Sequence, residues 1–133
     1  MACIHRLVLA AAAIFCVSHA TGQERKILKL EIKNLGMSLN EGDETSVATC
    51  RDFRPTARQV RNFFLRSYPV PGAYMAHDLY SDCYAIGEIT FNDNKSFGKW
   101  ILYSTGVARI DWDFGGEVYL LYRKNKWYNP MGE

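Results

Sequence analysis

The segment AYMAHDLYSDC, residues 73–83, gathers His77, Asp78, Ser81 and Asp82, the residue types of a base, a nucleophile and an orienting carboxylate. General acid–base chemistry near neutral pH draws on histidine first. A triad is a spatial arrangement, however, and neighbours within one loop rarely point at each other. Tyr74, Tyr80 and Tyr84 mark this segment as an ordered loop in which His77 holds a turn. A ribonuclease-like site would set a histidine beside a glutamate and arginines on a sheet. Glu88, Glu117 and Arg109 supply those types, but no spacing requires them in those roles. The expectation is therefore no catalytic residue, with a small hydrolase using His77 as the alternative.

A second stretch, ARIDWDFGGEVYLLY at 108–122, places Asp111 and Asp113 one residue apart before a Gly-Gly pair. A calcium loop needs several oxygen ligands at close, irregular spacing around a sharp turn. Here there are two, and on an extended strand they sit about 7 Å apart. The triplet Asp113-Phe114-Gly115 lacks the glycine-rich loop, strand lysine and catalytic loop that accompany it in kinases. No metal site is expected. Zinc lacks a ligand set, no glycine-rich loop cradles phosphate, and nothing supports haem or flavin, so no cofactor is expected either.

With chemistry set aside, the same residues suit recognition. Tyrosine, tryptophan and arginine are enriched at protein interfaces, and 14% of this chain is aromatic. The candidate contact surface is Tyr74, His77, Asp78, Tyr80, Arg109, Asp111, Asp113 and Tyr119. A partner protein would be met by a loop or strand edge, either Tyr74–Asp82 or Asp111–Tyr119.

The elements that must position these groups follow from periodicity. Ile27–Leu35 alternates apolar and charged residues, the signature of a half-buried strand. Gly36–Glu44 is polar and turn-rich and reads as an exposed loop. After Pro55, Thr56 and Gln59 fit a capping box, and Val60, Phe63 and Phe64 recur at helical spacing until Pro69, Pro71 and Gly72 stop the run. Arg58, Arg61, Asn62 and Arg66 cover the rest of that helix; its arginines have the chemistry to grip phosphate or carboxylate groups, but the favoured reading is a solvated face pairing with acidic neighbours. From Cys83 onward Tyr84–Phe91, Lys99–Ser104, Val107–Asp113 and Glu117–Lys124 read as strands of a sequential meander.

One amphipathic helix on an antiparallel meander of four to five strands makes an α+β fold in a single domain. In element order this resembles small secreted ribonucleases and small bacterial inhibitor and immunity proteins, an architectural likeness that does not carry function. The last hairpin reads as a three-residue loop, Phe114–Gly116, which puts Asp113 opposite Glu117. Ala108, Ile110, Trp112, Val118, Leu120 and Tyr122 then share one face, and Arg109, Asp111, Asp113, Glu117 and Tyr119 the other. Val60, Phe63, Phe64, Ile110, Trp112 and Leu120 are the expected core.

The N-terminus fixes the destination. A charged start to Arg6, the apolar run Leu7–Val17 and the small residues Ser18 and Ala20 read as a secretory signal peptide over 1–20. The run is too short to span a membrane. Cys16 follows Ile14 and Phe15, which a lipid-attachment site would not carry. The secreted domain would be 21–133, soluble, in the periplasm or outside the cell. Losing Arg6 takes the formal net charge from +2 to +1, and nothing in the chain resembles a nucleic-acid footprint, which needs clustered excess positive charge, so no nucleic-acid partner is expected. Cys3 and Cys16 leave with the leader, so Cys50 and Cys83 have one possible pairing in an oxidising compartment. The expected function is a non-enzymatic binding protein that neutralises a secreted enzyme or toxin; an envelope structural protein is a further alternative.

Overall fold

The computed structural model describes residues 25–75, 79–92 and 96–132. The expected signal peptide, His77 and Asp78 lie outside them. Strand β1 spans Ile27–Ser38, followed by helices α1 (Glu44–Cys50) and α2 (Ala57–Arg66). The short strand β2 (Tyr68–Val70) and a 3₁₀ turn (Gly72–Met75) lead into β3 (Cys83–Phe91), β4 (Phe97–Tyr103), β5 (Val107–Trp112) and β6 (Glu117–Leu121). All six strands form one antiparallel sheet in the order β1-β3-β4-β5-β6-β2. The fold is α+β, with six strands rather than four to five and two α-helices rather than one.

Helix α2 begins as its capping box dictates. The Thr56 hydroxyl accepts from the Gln59 backbone N–H at 3.1 Å, and the Gln59 carboxamide accepts from the Thr56 N–H at 2.8 Å. Its apolar stripe, Val60, Phe63 and Phe64, is fully buried on the sheet. Phe64 packs on Trp100 of β4 at 5.5 Å, and Phe63 on Tyr122 and Trp127. Trp127 comes from the C-terminal tail, donates to the Ser104 carbonyl at 2.9 Å and closes the core over Phe53. Of the expected core all but Trp112 is buried, and Trp112 is half-buried against it.

The polar stretch 36–44 is not one loop. β1 continues to Ser38, and Asp43 caps α1 by accepting from Thr45 and Ser46. At seven residues α1 is too short to show an apolar stripe; what holds it is its far end. Cys50 is joined to Cys83 by a disulfide, both wholly buried, tying α1 to the first residue of β3.

Trp100 decides one packing detail. Its indole lies over Gly87 of the neighbouring strand, where a Cβ would come 2.3 Å from the ring and 1.9 Å from the Glu31 carbonyl. Only glycine admits that approach. The indole N–H donates to the Glu88 carbonyl at 3.1 Å.

Candidate functional site

The helices cover one face of the sheet, and the side chains on the other follow from strand parity. Tyr84, Ile86 and Glu88 of β3 lie beside Tyr103, Ile101 and Lys99 of β4. Lys99 and Ile101 lie beside Asp111 and Arg109 of β5, which in turn face Glu117 and Tyr119 of β6. Period two therefore delivers Arg109, Asp111 and Tyr119 to one surface, as expected from the sequence.

The hairpin register corrects the expected one by two residues. The Trp112 N–H donates to the Gly116 carbonyl, and Gly115 N–H to the Trp112 carbonyl, so the loop is Asp113–Gly115. Gly115 and Gly116 both hold positive φ, +104° and +85°, which permits this tight reversal. A shift of two keeps every side chain on its expected face but changes the partners. Glu117 stands opposite Asp111 instead of Asp113. Asp113 falls in the loop and is exposed, and the carboxylates that Arg109 meets are Asp111 and Glu117.

Two carboxylates facing each other across strands repel. Arg109 resolves the conflict. Its Nε is 3.1 Å from Asp111 Oδ1 and 3.8 Å from Glu117 Oε2, and its Nη2 donates to Asp111 Oδ2 at 3.2 Å. Partial burial alone would lower the guanidinium pKa; the Tyr119 hydroxyl, which accepts a hydrogen bond from it, and Asp111 outweigh that and raise it. The arginine is thus a cation set among three partners, Asp111, Glu117 and Tyr119, with its Nε close to both carboxylates but hydrogen-bonded to neither.

Two tyrosines, Tyr119 and Tyr103, stand beside it. Tyr103 is 8% exposed, and burial pushes its phenol pKa up; Arg109 opposes the rise, while Tyr119, Tyr84 and Asp111 add to it. Tyr80 donates to Asp82 Oδ1 at 2.7 Å, and that bond raises its pKa. The 3₁₀ turn leans on this face from the side. Gly72 sits against the Tyr119 ring, and Met75 packs with Leu79, Val107 and Leu121. Tyr74 on the same turn remains 47% exposed, and Tyr80 57%.

The two segments expected to make contact are therefore brought together. Tyr74 and Tyr80 come from one and Arg109, Asp111 and Tyr119 from the other; His77 and Asp78 lie outside the described residues. Tyr103, Tyr84 and Glu117 join them unforeseen. Tyr84 and Tyr103 pair at 6.3 Å, a contact that the alternation of β3 and β4 would have suggested had the strands been aligned.

Beside the cluster a shallow cleft of about 380 Å³ is floored by Ile86 and Ile101 and rimmed by Lys33, Glu88, Lys99 and Asp111. Glu88 and Arg109, cast as partners in the hydrolase alternative, do share this face, but Arg109 is already engaged by two carboxylates. Among the described residues no group of three or more histidine, cysteine or carboxylate side chains is placed to hold a metal ion. No described helix is long and apolar enough to cross a membrane. No protein-family model, curated protein or solved structure matches the chain.

Proposed function

We propose that this is a non-enzymatic binding domain, exported to the periplasm or the cell exterior, which occludes a partner protein with the open face of its sheet. The observation that carries the reading is the grouping of Tyr103, Tyr119 and Asp111 about Arg109, an aromatic surface that Tyr84 and Tyr80 extend on the far side of Tyr103. Rigid aromatic side chains and a pre-placed arginine lose little conformational freedom on binding, and such residues dominate measured interface energetics. The flanking isoleucines supply apolar area and the rim of Lys33, Glu88 and Lys99 supplies polar contacts, the arrangement of an interface core and its rim. A secreted enzyme or toxin is the partner class this suits, since covering a catalytic cleft needs a firm surface and no chemistry.

Affinity capture of the tagged protein from the envelope of its own organism tests this. The expected result is a stoichiometric hydrolase retained by the wild type and lost by Tyr119→Ala and Tyr80→Ala. A partner retained equally by both variants would move the contact elsewhere. A hydrolytic activity of the purified protein abolished in His77→Ala would replace the reading with the enzymatic one.

A further inference from the structure

The opposite side of the molecule carries a charge pattern the composition conceals. Arg51, Arg54, Arg58, Arg61 and Arg66 are all exposed, with Asp52 the one acid among residues 51–66. Arg58, Arg61 and Arg66 were expected to pair with acidic neighbours; among the described residues, none of the five has a carboxylate within ion-pair distance. Instead Arg66 donates to Asn62 Oδ1 on its own helix at 2.8 Å, and two arginines bind backbone. Arg61 donates to the Ile27 carbonyl at 3.4 Å, and Arg25 donates to the Phe64 and Ser67 carbonyls at 2.6 and 2.9 Å. These bonds join the start of β1 and the outer side of α2 into one continuous surface.

Apolar side chains are set within it. Leu65 lies one helical turn beyond Arg61 and two beyond Arg58, opposite the buried Val60, Phe63 and Phe64, and is 38% exposed. Leu28, next to the carbonyl that Arg61 holds, is 54% exposed, and Tyr68, just past the helix, 55%. Guanidiniums interleaved with leucines and a tyrosine on a convex helical face match what anionic bilayer surfaces select: cations for the phosphates, aliphatic groups for the acyl boundary, tyrosine for the interface between them.

We propose that this patch, centred on Arg58, Arg61, Leu65 and Leu28, docks the protein peripherally on a membrane surface bearing anionic phosphate headgroups. It is separate from the open sheet face and does not depend on that face binding anything. The charges favour an anion over a protein of mixed surface. The leucines favour lipid over a nucleic acid, which would reward stacking aromatics instead.

The test is co-sedimentation with vesicles of phosphatidylcholine alone or with phosphatidylglycerol, using protein expressed from the full chain and purified in the form the cell leaves it. Binding is expected only with phosphatidylglycerol, and to weaken strongly as salt rises from 50 to 200 mM. Arg58→Ala and Arg66→Ala should each weaken it about fivefold. Leu28→Ser with Leu65→Ser should weaken it at both salt concentrations, because apolar insertion is not screened. Lys126→Ala, the same charge loss outside the patch, should leave binding intact. Equal loss in Lys126→Ala would show attraction to net charge alone and overturn the proposal. So would binding unchanged in all variants, no binding to either vesicle, or a single-stranded RNA bound as tightly and with no effect of the leucine substitutions.

Discussion

Asp111 and Glu117 face each other across β5 and β6, and Arg109 is what makes that tolerable. Arg109→Met should therefore destabilise the domain by about 1 kcal/mol, the scale of a partly exposed ion pair plus the exposed repulsion. Adding Asp111→Asn should restore part of the loss, which denaturant titration of the single and double variants would read. If Arg109→Met is neutral, the guanidinium is decoration. Tyr103 makes a pH prediction. Its folded pKa is raised above the usual 10.0 by burial, so its contribution to stability is complete below pH 10 and is lost as the pH rises through the raised value. The melting temperature of the wild type should fall more steeply above pH 10 than that of Tyr103→Phe. Parallel curves would show that the phenol is not a source of the alkaline loss.

The disulfide is the main link between elements, fastening α1 to β3. Titration of the native protein should find no free thiol from Cys50 or Cys83, and Cys50→Ala with Cys83→Ala should cost about 3–4 kcal/mol by the loop-entropy account. Gly87→Ala is the corresponding test of packing: a methyl group driven against the Glu31 carbonyl and the Trp100 ring should cost about 1–3 kcal/mol or more. Elements with strong local signals were legible in the sequence. The Thr56 capping box placed α2, and alternation placed five of the six strands. The hairpin faces were right although the register was not, because parity survives a slip of two. What lacked local signal was missed: α1 is held by a disulfide and a cap rather than a stripe, and β2 is three residues long with a proline at its centre. The cluster around Arg109 was half legible. Alternation aligned residues along one hairpin, but the meeting of Tyr80 with Tyr103 depends on how a distant loop folds over the sheet, which no local pattern encodes.

At the scale of the whole molecule, a near-neutral balance of charge hides two unlike sides. The open sheet face mixes acids and bases: Lys99 lies in register between Glu88 and Asp111, flanked by Glu31 and Glu117, with Arg109 two residues from Asp111 on the same strand. On the other side, the outer surface of α2 carries Arg58, Arg61 and Arg66 and no acid. Sequence counts average over this, so a net charge near zero does not report how the charges are distributed. Export is the remaining expectation at this scale; intact-mass measurement of the secreted form should give a chain starting at Thr21, and a retained Met1 would refute it. The borders of the sheet carry one more consequence. β1 breaks register three times along its length, and β2 offers three residues of which Pro69 has no N–H to give. A straight run of unpaired backbone donors and acceptors is what lets one sheet extend into another, and neither border provides one. The sheet is thereby kept from stacking edge to edge into fibres. Anything that recognises it must land on a face.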